Sequence, residues 1–159
     1  MDATSFDKIA QWSGGQLVAG DPQGTASTIC TDSRALKAGD LFVALRGDNF
    51  DGHTFIAEAS KRGAAGAIVE DFPAELPAGF AVIRVPNTLQ ALQRLGAEYR
   101  RSLDLQVVGL TGSNGKTSTK DLTAAVLGEN FQVTKTEGNL NNHIGVPLTL
   151  LRARGTDQV

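Results

Sequence analysis

Residues 105–117 read LQVVGLTGSNGKT: an apolar run, a glycine-rich turn, and a Lys-Thr pair where a helix should begin. The run Leu105–Leu110 has the composition of a buried strand, and Thr117–Leu127 reads as the helix that follows it. Small residues between a strand end and a helix start let backbone N–H groups converge on an anion. The helix N-terminus adds positive potential there. Lys116 can reach the outer phosphates of a nucleoside triphosphate, and the Thr117 hydroxyl can sit on a magnesium ion. The spacing departs from G-x-x-x-x-G-K-[ST], which wants glycine where this chain has Leu110; Gly109 and Gly112 lie on either side.

Downstream, the turn Gly128-Glu129-Asn130 leads into Phe131–Lys135, which reads as a second strand. The connection from Leu110 to Phe131 is long enough for a parallel, right-handed βαβ unit. A polar loop, Thr136–His143, follows, and then a helix from Pro147. Two strands and one and a half helices leave a sheet edge unpaired and an apolar face uncovered. The sequence is therefore expected to be part of a longer enzyme, with the acidic magnesium ligand elsewhere.

Upstream, the pattern is mixed α/β. Thr4 or Ser5 can cap a short helix over Phe6–Trp12, stopped by Gly14-Gly15. Gln16–Ala19, Ser27–Thr31, Leu41–Leu45, Ala67–Val69 and Phe80–Val85 read as strands. His53–Arg62 reads as a helix closed by Gly63. Phe72–Gly79 holds two prolines and reads as a loop. Asn87-Thr88 caps a longer helix, Leu89–Leu103, whose apolar residues Leu89, Leu92, Leu95 and Tyr99 recur near the helical period. This helix is expected to be the joint between a module over 1–85 and a second over 86–159.

The 159 residues carry 15 basic and 17 acidic side chains, so no basic field argues for nucleic acid. No apolar stretch approaches the roughly 20 residues of a spanning helix, and the N-terminus lacks the pattern of a secretory signal. The single cysteine, Cys30, excludes an intramolecular disulfide, fits a reducing compartment, and reads as a small core residue. A cytoplasmic protein is expected.

Three further constellations stand out. Thr31-Asp32-Ser33-Arg34 follows a strand; it is either a strand-end turn or a carboxylate- or phosphate-holding corner. Asp51-Gly52-His53 lies between a strand and a helix, with Asp51 a helix cap and His53 either a surface residue or one facing a phosphate or base. Gly138-Asn139-Leu140-Asn141-Asn142-His143 places three amides beyond a strand, which suits a solvated loop or a ligand rich in hydroxyl and amide groups. His143 has no metal-ligand partner at suitable spacing, and zinc is not expected.

The segments TDSR (31–34), GDLFVALRG (39–47), FDGHTFIAEASKRGA (50–64), TGSNGKTSTK (111–120) and TEGNLNNHIGVPLT (136–149) together resemble the amino-terminal part of a Mur ligase. The first three are similar to the uridine-nucleotide-binding domain shared by the types that add the third residue and the D-alanyl-D-alanine dipeptide. The last resembles the dipeptide-adding type; the third-residue-adding type typically carries a T-x-P turn there. The family shares the loop without the first glycine. The resemblance implies an α/β protein: a small mixed α/β uridine-nucleotide-binding domain over 1–85, then a truncated P-loop parallel-sheet ATPase domain over 86–159.

It also implies roles. Thr31, Asp32, Ser33, Arg34, Asp51, Gly52 and His53 would line the uridine diphosphate site, and Asn139, Asn141 and Asn142 would approach the sugar-peptide part. Thr111, Gly112, Ser113, Asn114, Gly115, Lys116 and Thr117 would wrap the phosphates of ATP, with Lys116 neutralising charge in the reaction and Thr117 on Mg2+. The family phosphorylates the terminal carboxylate of UDP-N-acetylmuramoyl-tripeptide with ATP, and the amine of D-alanyl-D-alanine then attacks the acyl phosphate, in peptidoglycan synthesis. The implied protein is a monomer that binds neither nucleic acid nor membrane. The chain alone is expected to bind the uridine nucleotide weakly and not to ligate. Two alternatives remain: the third-residue-adding ligase, and a P-loop kinase or stand-alone nucleotide module, which leaves residues 1–85 unexplained.

Overall fold

The computed structural model describes residues 1–47, 50–72 and 79–159. Most of the loop expected at Phe72–Gly79 lies outside the described residues. In chain order the elements are β1 (Thr4–Ser5), α1 (Phe6–Ser13), β2 (Gln16–Ala19), β3 (Thr25–Ala26), β4 (Ile29–Cys30), β5 (Leu41–Val43), β6 (Arg46–Gly47) and β7 (Phe50–Asp51). A 3-10 turn (Gly52–Phe55) leads into α2 (Ile56–Lys61), then β8 (Gly66–Val69), β9 (Ala81–Arg84), α3 (Thr88–Ser102), α4 (Lys116–Gly128) and α5 (Gly145–Leu150). Local chemistry sets the helix ends. The Ser5 side chain accepts from Lys8 N–H, and Gly14 ends α1 in the left-handed region at φ 72°.

Five strands form one sheet in the order β2-β9-β8-β5-β4. β4, β5, β8 and β9 run parallel, and β2 pairs antiparallel with β9. Side-chain alternation divides the core between the two faces. Leu41, Val43, Ile68, Ala81 and Ile83 join Phe6 and Ile9 of α1 and Leu92, Leu95 and Tyr99 of α3. Phe42, Ala67, Val69 and Val82 join Ile56 and Ala59 of α2. Leu92 and Leu95 are fully buried, each worth about 1.5–3 kcal/mol. The carboxyl ends of the parallel strands open on one edge, where ligands of open α/β sheets bind; Asp32, Arg46, Glu70 and Asn87 follow there.

α3 is the joint. It packs against α1 on one side and α5 on the other. A Cβ on Gly96 would meet Pro147 Cα at 3.1 Å, so the missing side chain sets the close crossing with α5. The Tyr99 hydroxyl accepts from Asp2 N–H at 2.8 Å and donates to Ala153 O at 2.8 Å. Arg154 donates to Met1 O and Gly155 N–H to Asp2 Oδ2, each at 2.8 Å. The first residues thus clasp the segment after α5.

The second module departs from expectation. Among the described residues no strand is assigned beyond Arg84. Gln106–Leu110 and Phe131–Lys135 do not pair, because the last residues lie between them. Gln106 N–H bonds to Gln158 O at 2.9 Å, Gln158 N–H to Gln132 O at 2.9 Å, and Thr134 N–H to Val159 O at 3.0 Å. Such isolated bonds on either side of a two-residue wedge do not make a ladder. A cavity of about 380 Å³ separates α4 from 105–110 and α5, walled by Leu110, Leu127, Val133 and Leu150. Accordingly, α4 buries no residue. No helix among the described residues is long and apolar enough to cross a membrane.

Candidate functional site

The glycine-rich turn is an open cradle. Gly112 and Gly115 hold φ of 143° and 78°, values L side chains rarely adopt. A Cβ on Gly115 would meet nothing within 4 Å, so this glycine serves backbone conformation rather than close packing. It ends the turn and starts α4 with no side-chain cap. The first amides of α4 therefore keep the donors a helix start leaves over. Thr111 to Gly115 and Thr117 are all exposed. The Lys116 ammonium folds back over the turn onto Gly112 O. Turn, ammonium and Thr117 hydroxyl thus lie together at a helix start, where backbone donors favour negative charge.

The asparagine-rich loop is tied to the same helix. Lys120, one turn after Lys116, donates to Thr136 O at 2.7 Å. Asn142 Oδ1 accepts from Ile144 N–H at 3.1 Å and Gly145 N–H at 2.7 Å, so this side chain caps α5. Asn139 and Asn141 are exposed, and their side chains make no hydrogen bond among the described residues. Gly145 sits where a Cβ would lie 2.5 Å from Leu140 Cα, which fixes the loop's return into α5. Gln93 of α3 donates to His143 O at 3.2 Å, fastening the loop to the joint.

The third cluster lies at the carboxyl edge of the sheet. Asp51 caps the 3-10 turn, its Oδ1 accepting from His53 N–H at 2.9 Å. Gly52 passes over the end of β5, where a Cβ would lie 2.8 Å from Leu45 O. His53 is nearly buried, with Nδ1 2.7 Å from Asp51 Oδ1 and Nε2 accepting Glu70 N–H at 2.9 Å. Those bonds assign the ring proton to Nδ1. The ring is thus engaged within the protein, and the cap is the role the geometry gives to Asp51. The His53 N–H, then the ring and Arg46, hold the Asp51 carboxyl down at about 2.

Thr31–Arg34 occupies the crossover after β4. Arg34 forks onto Asp32 at 2.9 and 2.8 Å, which holds the Asp32 carboxyl down at about 2. Ser33 is buried. Arg34 O accepts from Arg62, the residue after α2, at 3.2 Å. TDSR and DGH therefore flank the two ends of one helical segment and share no hydrogen bond.

Three residues of this edge escaped the sequence reading. Arg46 pairs with Asp51 at 3.1 Å, Glu70 at 2.9 Å, and Asp71. Glu70 also accepts from Thr88 of α3. The available signal was a charge placed directly after an apolar strand: Arg46 after LFVAL, Glu70 after AIV.

Two family models match successive parts of the chain. The Mur ligase family, catalytic domain, matches residues 25–100, and the Mur ligase middle domain matches residues 110–158. The chain belongs to the Mur ligase family. The UDP-N-acetylmuramoyl-tripeptide–D-alanyl-D-alanine ligases of Synechocystis sp. and Bacillus subtilis are 51% and 48% identical over 79% and 77% of this chain. Crystal structure II of MurF from Acinetobacter baumannii matches 99% of the chain with a TM-score of 0.90 at 38% identity. MurF from Thermotoga maritima, in complex with ADP, matches 82% with a TM-score of 0.71 at 34% identity. A UDP-N-acetylmuramoyl-L-alanyl-D-glutamate–2,6-diaminopimelate ligase shares the fold, with a TM-score of 0.55 at 21% identity. The mixed α/β architecture is that of these Mur ligases. This chain spans 27–28% of the Bacillus and Synechocystis proteins and 34% of the Acinetobacter chain.

Proposed function

We propose that this Mur ligase chain contributes the uridine-nucleotide-binding module and the ATP phosphate loop of a UDP-N-acetylmuramoyl-tripeptide–D-alanyl-D-alanine ligase. The observation that carries the reading is the open cradle Gly112–Thr117, tied through Lys120 to an asparagine-rich loop, in a chain about half identical to ligases of that name. Residues 1–85 form the nucleotide-sugar module and 86–159 the phosphate module, which opens with α3.

In this reading the amides of 111–117 hold the β- and γ-phosphates of ATP, and Lys116 spreads the charge that builds as the γ-phosphoryl group leaves. The Thermotoga relative is a complex with ADP, which supports ATP as the phosphoryl donor. The tripeptide's carboxylate oxygen takes the phosphoryl group, and ADP departs. The amine of D-alanyl-D-alanine then attacks the acyl carbon, phosphate leaves, and an amide forms. Thr31–Arg34 and Asp51–His53 shape the edge that receives the uridine diphosphate, and Asn139, Asn141 and Asn142 approach the sugar and peptide.

The residues present fit a magnesium ion bound chiefly through phosphate. The Thr117 hydroxyl is exposed at the helix start, and no group of three acidic, histidine or cysteine residues able to hold a metal occurs among the described residues. Mg2+ at Thr117 would neutralise phosphate charge, in keeping with its habit of binding through few protein ligands. The protein acts as a cytoplasmic monomer in this reading, and the acyl acceptor is the dipeptide rather than a third amino acid, as the GNLNNHIG segment suggests.

Calorimetric titration tests the reading. UDP-N-acetylmuramoyl-tripeptide should bind more tightly than UMP, and ATP should bind independently of both. A chain that takes ATP and ignores every uridine ligand would be a plain P-loop module.

A further inference from the structure

Glu70 joins three elements through one side chain and one amide. Its N–H donates to His53 Nε2 at 2.9 Å. Its Oε1 accepts from Thr88 N–H at 2.8 Å and Thr88 Oγ1 at 3.1 Å. Its Oε2 accepts from Arg46 Nη1 at 2.9 Å. The carboxylate is only 16% exposed, and Thr88 is buried. Asn87 already caps Gln90 N–H, so Glu70 takes a second orphan donor at the start of α3 and lies where a helix start favours negative charge. Arg46 extends the tie to Asp51 and Asp71.

The middle of the same helix holds the segment 143–147. Gln93 bonds to the His143 carbonyl, and Gly96 admits Pro147. One continuous path of packed and bonded groups thus runs from Asp51–His53, through Glu70, along α3, to the asparagine-rich loop. We propose that Glu70 is a positioning residue that locks the Asp51–His53 loop to the start of α3 and so transmits occupancy of the sheet edge to the joint between the modules. The transmitted part rests on the proposed uridine site at that edge; the lock itself stands on the hydrogen bonds alone.

Amide hydrogen exchange in the 159-residue chain tests both. Without ligand, Glu70→Ala keeps the Glu70 N–H bond to His53 but frees Thr88 and Arg46, so it should speed exchange at Thr88 and Ala91 by roughly tenfold or more, and at His53 as the Arg46–Asp51 pair loosens, and leave Ile68 and Ile83 of the core unchanged. Glu70→Gln keeps an oxygen for Thr88 and should hold the α3 amides within about threefold of wild type; it also serves if the alanine variant folds poorly. Acceleration at Thr88 with none at His53, or an equal rise at Ile68 and Ile83, overturns the lock. With UDP as the probe, wild type should gain protection at His53 and at Ala91, and Glu70→Ala only at His53. Protection at Ala91 that survives in Glu70→Ala overturns the transmission. UDP that leaves His53 unprotected in wild type removes the uridine site from this edge, while the ligand-free rates still decide the lock.

Discussion

Gly115 and Gly145 are glycines for opposite reasons, and their substitution should separate ligand binding from folding. Gly115 sits at φ 78° in open space. Gly115→Ala should strain only the turn, by about 1–2 kcal/mol, and weaken ATP binding more than it lowers the melting temperature. Gly145→Ala would drive a Cβ to 2.5 Å from Leu140 Cα. It should cost about 1–3 kcal/mol, seen as a lower urea midpoint. The turn glycine was legible in sequence because a glycine-rich stretch between an apolar run and Lys-Thr marks a turn into a helix; the packing glycine was not, because its reason is a backbone that approaches from five residues away. The same limit applied at Asp51-Gly52-His53. Its sequence supported a cap, yet the partner of His53 Nε2 is the Glu70 amide, seventeen residues on. Asp51 also supplies a pH dependence. Its carboxyl is held at about 2 against an ordinary value of 3.8, so the folded state binds this proton less readily than the unfolded chain. The stabilisation is complete above about pH 4 and is lost as pH falls from about 4 to about 2. Asp51→Asn should flatten that part of an acid-unfolding curve.

At the scale of elements, α3 carries the most consequence. Tyr99→Phe removes both bonds of the hydroxyl, to Asp2 and to Ala153. The expected loss is about 1–3 kcal/mol, accompanied by faster amide exchange at 153–155. The extent of α3 could be read from its Asn87 cap and its 3.6-residue period. Its packing against both α1 and α5 could not be read, because those contacts depend on chain segments far from it in sequence. The two strands expected at 106–110 and 131–135 mark where periodicity stopped informing. An apolar run states that a segment wants burial; a ladder also needs a partner along its whole length, and here Gln158 and Val159 supply single bonds instead. α4 shows the consequence, with Leu122 and Val126 about 70% exposed. Leu122→Lys with Val126→Lys should lower binding of a hydrophobic dye without lowering the melting temperature, since neither side chain is packed.

For the whole molecule, the parallel order β4-β5-β8-β9 brings four strand ends to one edge, and the chain places its distinctive polar residues just after them. That arrangement was implicit in the alternation of apolar strands with helices. The hub at Arg46 and Glu70 was not, because a charge after a strand reads as solvated until its partners converge. The Mur ligase relationship joins the edge and the turn in one protein family, and Met1 and Asp2 clasp 154–155 beside Tyr99. The proposed chemistry turns on whether the amides beginning α4 grip a triphosphate. The measurement is a titration of the 15N-labelled chain and its Lys116→Ala variant with MgATP, followed by amide chemical shifts. The expected result is that shifts concentrate at Gly112–Ser118 and that the variant binds roughly 10- to 100-fold more weakly, the loss of a charged hydrogen-bond donor. Shifts that avoid the turn, or equal affinity in the variant, would contradict it.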